Sequence, residues 1–196
     1  FDREDGFNLD ACLKTCQEVA KKQRNVMLLL NTPAHNPTGF ELSYNEWETL
    51  VEGLKTLSQN GKNNIILVVD VAYIDFAEEQ SRDFFLLFEG LPENFLVIVC
   101  TSMSKGYSLY GYRLGAMIAL SQSQAVIDEF ILANSASARA TWSNSSRPAM
   151  MAICSIYNDR ERLEAFRQEE KYLASILKER ATLFLEEARV LGLKLC

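Results

Sequence analysis

The sequence predicts an α/β fold built on a mostly parallel sheet. Short uninterrupted apolar runs at 26–31, 65–70 and 95–101 alternate with helix-like stretches over the first half of the chain. These runs are rich in Val, Ile and Leu, as strands covered on both faces should be. Polar, loop-forming residues gather after each run, at 32–40, 70–73 and 102–106. In open α/β sheets, ligands bind beyond the strand carboxyl ends, so these clusters stand where a site belongs.

The elements follow in order. Residues 8–22 place Leu9, Leu13, Cys16 and Ala20 at helical spacing. The strand at 26–31 leads into 32–40, which holds Pro33, Pro37 and Gly39 and must be an ordered loop. Ser43 caps the next helix, and Glu46 completes a capping box. That helix runs to about Gln59, where Asn60 and Gly61 end it. Strand 65–70 is followed by a short helix or turn at 84–88 and a third strand at 95–101. The fourth strand, 114–120, follows a glycine-bearing connection too short for a helical crossover, so it is expected antiparallel to its neighbour. Helices are expected at 121–137 and 145–157, then a long charged one at 159–191 ended by Gly192. Residues 193–196 read as the start of another strand.

Composition narrows the function. The 196 residues are 48% hydrophobic and 23% charged, an ordinary globular mixture. A net charge of −6 argues against nucleic acid or an anionic membrane as partner, although local donors can still hold a phosphate. No apolar run approaches the roughly 20 residues that span a bilayer. Residues 1–5 are charged, without the apolar stretch of a signal peptide, and the missing initiator Met reads as a piece of a longer protein. Cysteines 12, 16, 100, 154 and 196 are odd in number and follow no disulfide framework, which points to reduced thiols in the cytoplasm. One histidine leaves too few obvious ligands for a zinc cluster.

Four segments carry chemistry. Lys105, in Ser102-Met103-Ser104-Lys105-Gly106, follows a strand beside two hydroxyls and could anchor a phosphate or form an imine. A surface lysine in a serine-rich loop is the plain reading of that segment alone. Asp70, in Asp70-Val71-Ala72-Tyr73, can hold a protonated ring nitrogen, with Tyr73 reaching a phenolate oxygen; an aspartate there is also an ordinary turn former. Asn36, in Asn36-Pro37-Thr38-Gly39, offers an amide in a rigid turn or is simply that turn. Arg113 precedes the last strand and suits a phosphate by charge and fork geometry.

Taken together and in this order, the segments resemble the signature set of class I/II aminotransferases, the aspartate and aromatic aminotransferase family of fold-type I pyridoxal-phosphate enzymes. The Asn36–Gly39, Asp70–Tyr73 and Ser102–Arg113 blocks each resemble a family motif, and Arg139-Ala140-Thr141-Trp142-Ser143-Asn144 resembles a further segment of the aspartate/aromatic branch. The resemblance implies a partial three-layer sandwich, the large domain of fold-type I. It implies that Lys105 carries pyridoxal 5'-phosphate and moves a proton, and that Asp70 pairs with the ring nitrogen. Asn36 and Tyr73 would bond the ring oxygen, while Ser102, Ser104 and Arg113 would hold the phosphate. Arg139 would reach a partner subunit's substrate pocket in a homodimer, or be a surface arginine; Trp142 reads as packing, and His35 as a neighbour of the ring or a plain loop residue. By the same resemblance, 1–158 is the incomplete cofactor-binding domain, 159–192 a helix toward a small domain, and 193–196 the start of that domain. Substrates would be an acidic or aromatic amino acid and a 2-oxo acid. Segments outside these residues would supply the substrate-carboxylate clamp, leaving this chain inactive alone. Two rival readings are a carbon–sulfur β-lyase using the same lysine and a non-catalytic effector-binding domain.

Overall fold

In a computed structural model, which describes residues 6–193, four strands form one sheet in the order β1-β2-β3-β4. These are β1 (Asn25–Asn31), β2 (Asn64–Asp70), β3 (Phe95–Ser102) and β4 (Gly115–Leu120). The first three are parallel, and β4 returns antiparallel to β3, as the short connection requires. Helix α1 (Leu9–Lys22) precedes β1, and α2 (Tyr44–Ser58) crosses from β1 to β2. Two 3₁₀ segments, Ile74–Phe76 and Glu79–Phe88, lead to β3. Helix α3 (Gln124–Thr141) follows β4.

Register decides which side chains enter the core. Val26, Ile65 and Phe95 lie in one row across the sheet, then Leu28, Leu67 and Val97, then Leu30, Val69 and Val99. This face packs under α1, α2 and the Glu79–Phe88 segment, where Trp47, Leu50, Val51 and Leu54 are fully buried. Trp47 stacks on Phe84 with centroids 4.5 Å apart and meets Phe88 edge-on at 6.2 Å. Each large apolar side chain taken fully from water contributes roughly 1.5–3 kcal/mol, so this layer dominates the stability of the sheet.

The opposite face differs from expectation. Its rows begin with Met27, Ile66 and Leu96, then Leu29, Val68 and Ile98. Met27 is 62% and Leu29 63% exposed. The continuous apolar run of β1 predicted cover on both faces; among the described residues it has cover on one. The reason is connectivity, because α1 and α2 both pack on the side that Val26 faces. Helix α3 begins three residues later than expected and extends to Thr141. Trp142 beyond it is 67% exposed, so the packing expected of it is not made among the described residues.

The chain divides into two compact units, Phe1–Ser145 and Ser146–Cys196. The second consists of α4 (Arg147–Tyr157) and α5 (Arg160–Val190), packed on each other. Asp159 caps α5 by accepting from the Glu161 and Arg162 N–H groups. Gly192, at φ +70°, closes it: the Leu193 N–H reaches the Ala188 carbonyl at 2.9 Å and the Gly192 N–H the Arg189 carbonyl at 3.0 Å. The strand expected over 193–196 falls, after Leu193, outside the described residues. Among the described residues no helix is long and apolar enough to cross a membrane.

Candidate active site

The carboxyl ends of β1, β2 and β3 bring polar residues into one row: Asn31 pairs with Asp70, and Asp70 with Cys100. All three point to the face opposite the helices, since the side chain just before each, Leu30, Val69 and Val99, points into the core. Ser102 ends β3 on that same face. The alternation that buries the valines therefore lifts the polar residues out at the strand ends.

Asn31 ties two loops together. Its Nδ2 donates to the Asp70 carbonyl at 3.2 Å, and its Oδ1 accepts the Asn36 N–H at 2.8 Å. Asn36 in turn donates from Nδ2 to the Tyr73 hydroxyl at 3.2 Å. The Asn36–Gly39 turn is closed by the Gly39 N–H on the His35 carbonyl at 2.6 Å, with Gly39 at φ +71°. His35 Nδ1 lies 2.8 Å from Thr38 Oγ1, inside the same turn. Asp70 Oδ1 accepts the Ala72 N–H at 3.1 Å, so it does act as a turn former. Its charge is nonetheless felt nearby, because burial and then the Asp70 charge push the Cys100 thiol up.

The loop from β3 to β4 holds the cations. Met103 donates to Leu114 and Leu109 to Met103, bringing the two ends of the loop together around Lys105. Ser102 Oγ accepts the Ser104 N–H at 3.2 Å, and buried Ser104 accepts from Arg113 Nη1 through its Oγ at 3.2 Å. Arg113 Nη1 also donates to the Tyr110 carbonyl at 2.9 Å. Arg113 sits in the left-handed region, φ +54° and ψ +52°. For a residue with a Cβ this costs on the order of 1–3 kcal/mol, and such strain concentrates at functional sites. Gly115 ends the motif because a Cβ there would stand 2.5 Å from the Thr101 carbonyl oxygen.

Cations and rings alternate across the site. Lys105 Nζ is 5.8 Å from the Tyr73 ring centre and 4.6 Å from that of Tyr110. Arg113 Cζ is 5.2 Å from the same Tyr110 ring. Asn36, Tyr73, Lys105, Ser102, Ser104 and Arg113 thus form one connected set, with Asp70 joined to it through Asn31. Arg139 is outside that set; near the end of α3 its Nη1 donates to Ser143 Oγ at 3.2 Å. Neither Asn31 nor Tyr110 stands out in the sequence. The available signals were a polar residue ending an apolar run and an aromatic between the lysine and the arginine.

The family model for aminotransferase class I and II matches residues 2–195. The chain belongs to this family. An aromatic-amino-acid aminotransferase of Pseudomonas aeruginosa is 31% identical over 147 residues, 74% of this chain and 34% of that protein. A cytoplasmic aspartate aminotransferase of Caenorhabditis elegans is 25% identical over 91% of this chain and 43% of its own length. The crystal structure of an aminotransferase from Anaerococcus prevotii superposes with a TM-score of 0.95 at 35% identity, covering 99% of this chain and 48% of that one. This aminotransferase-family chain thus spans less than half the length of the relatives named here. Its mixed sheet with flanking helices is part of the fold-type I large domain.

Proposed function

We propose that this chain is the cofactor-holding core of a pyridoxal-phosphate-dependent aminotransferase. The reaction would move an amino group between an amino acid, acidic or aromatic, and a 2-oxo acid. The observation that carries the reading is the connected set around Lys105, an amine flanked by two tyrosine rings with a guanidinium beyond the second. The donor set fits the cofactor: an amine for its aldehyde, a carboxylate for its ring nitrogen, a phenol and an amide for its ring oxygen, and a guanidinium with two hydroxyls for its phosphate. When bound, the cofactor supplies an electron sink for the substrate Cα.

The protein's own contribution is placement and proton movement. Lys105 would hold the cofactor covalently and, once released, carry the proton between the substrate Cα and C4′ of the cofactor. Asp70 holds a proton on the ring nitrogen by its charge. Asn36 and Tyr73 act together on the ring oxygen, since each already bonds the other. Arg113, Ser102 and Ser104 bind the phosphate; both Arg113 bonds named above use Nη1, which leaves the Nη2 edge for an anion. The names of the Pseudomonas and Caenorhabditis relatives support the reaction and substrate classes. A fold relative from Burkholderia pseudomallei, an aromatic-amino-acid aminotransferase, is described as covalently bound to pyridoxal phosphate.

The reading extends to a cytoplasmic homodimer in which Arg139 serves the partner's substrate pocket, and to a cofactor domain over 1–158 followed by a linking helix over 159–192. The chain alone, spanning less than half of its relatives, should capture cofactor weakly and not turn over substrate. Borohydride reduction with pyridoxal phosphate, followed by peptide mass analysis, tests the core assignment. The label should fall on Lys105 and vanish in Lys105→Ala; in an active full-length enzyme that change should cost at least ~10²–10⁴ in rate. A label on any other lysine contradicts the assignment.

A further inference from the structure

One aromatic of the connected set, Tyr110, has no part in the proposed hold on the cofactor. Tyr110 is 62% exposed, so burial of its ring is not what holds it in place. It lies in the 3₁₀ turn Tyr110–Tyr112, closed by the Tyr112 N–H on the Leu109 carbonyl at 3.1 Å. Its ring carries two cations, Lys105 Nζ at 4.6 Å and Arg113 Cζ at 5.2 Å from its centre. Its carbonyl grips Arg113 a second time, through Nη1 at 2.9 Å. Two positive groups gathered in one loop repel each other, and an aromatic face with its negative quadrupole attracts both.

We propose that Tyr110 is a positioning residue whose ring seats the Lys105 amine and the Arg113 guanidinium at a set separation, ready for a ligand bearing an aldehyde and a phosphate. The inference rests on the proposed cofactor role of Lys105, but its first test does not. The left-handed backbone of Arg113 serves the same end, turning its side chain back toward the ring of a residue only three positions earlier. Tyr73 faces Lys105 at 5.8 Å, so the amine lies between two rings, whereas Arg113 has this ring contact with Tyr110. Removing the Tyr110 ring should therefore disturb phosphate recognition more than capture of the aldehyde.

The experiment uses the full 196-residue chain, wild type, Tyr110→Phe and Tyr110→Leu. Reductive ¹³C-methylation without cofactor reports each lysine by NMR, with Lys105→Arg assigning the resonance. Wild type and Tyr110→Phe should show the Lys105 methyl signals displaced by the ring current, and Tyr110→Leu should show them moved most of the way toward the position of solvent lysines, with only the more distant Tyr73 ring left to act. Absorbance titration then compares pyridoxal phosphate with pyridoxal. With about two- to five-fold expected for each cation–ring contact, Tyr110→Leu should weaken pyridoxal phosphate binding about five- to twenty-fold and pyridoxal binding less. Tyr110→Phe should stay within about two-fold of wild type, because a phenyl ring keeps the quadrupole. An undisplaced Lys105 signal in wild type, equal losses for both aldehydes, or a Phe variant as weak as Leu would each overturn the proposal. If no variant captures either aldehyde, the cofactor reading fails, and the NMR comparison still decides whether Tyr110 holds Lys105.

Discussion

A side chain on the glycine after Lys105 would collide with the Asp75 carboxylate, which would have to move aside. This carboxylate is half-buried and sits 3.6 Å from Arg82. Burial raises the Asp75 carboxyl above the ordinary carboxylate range, and Arg82 only partly pulls it back. The folded chain therefore holds this proton more tightly than the unfolded chain. The resulting stability is present below the unfolded carboxylate range and is lost as pH rises through the folded value. Asp75→Asn keeps the shape and removes the titration. The variant should lose the relative gain in stability that wild type makes on acidification through that window, while the partly exposed Arg82 pair contributes little at neutral pH. Urea unfolding midpoints at pH 7 and at pH 4 to 3 check this; parallel pH curves for the two proteins would refute it. At the same scale, the strain at Arg113 and the two-sided grip of Asn31 are features of single residues that the surrounding loops over-determine.

Among the elements, α2 owes its start to Ser43. Its Oγ accepts the Glu46 N–H at 3.3 Å, and Glu46 Oε2 returns to the Ser43 N–H at 2.7 Å. The cap matters beyond the helix, since it ends the loop that carries Asn36 and begins the helix that carries Trp47. Ser43→Ala should cost about 1 kcal/mol, within the usual ~0.5–2 range for a lost N-cap. The urea midpoint should fall with the slope unchanged, and an unaltered midpoint would show the cap to be idle. The β3–β4 connection works differently. Its position is set by backbone bonds from Met103 to Leu114 and by Gly115 lying against Thr101, so Lys105 and Arg113 are held by the sheet itself.

At the largest scale, the consequence of the topology is a sheet that, among the described residues of its own unit, has one covered face. Met27 and Leu29 on β1 and Met117 on β4 stand in the same open surface, all more than half exposed. Contiguous apolar surface of this kind promotes association, and so do the outer edges of β1 and β4, which have no strand partner among the described residues. The purified chain should bind a hydrophobic dye and self-associate with rising concentration. Met27→Lys with Leu29→Lys should reduce both, with a change in unfolding midpoint as small as surface substitutions usually give. Light scattering that stays monomeric for wild type at all concentrations would show that this face does not drive association.

Strand positions, the capping box, the antiparallel return of β4 and the cluster of polar residues at strand ends were all legible in the sequence. Each depends on local spacing or on the length of a connection. Asn36, Asp70, Ser102 and Lys105 could be singled out because they follow apolar runs that had to be strands, and Arg113 because it precedes one. Three things needed the tertiary structure. Which face of β1 is covered depends on where α1 and α2 land, and an all-apolar run carries no alternation to report it. The roles of Asn31 and Tyr110 arise from contacts across 39 residues in one case and from a loop folded back on itself in the other. The Gly106–Asp75 fit joins two loops that follow different strands, a proximity that only the pairing of β2 with β3 creates.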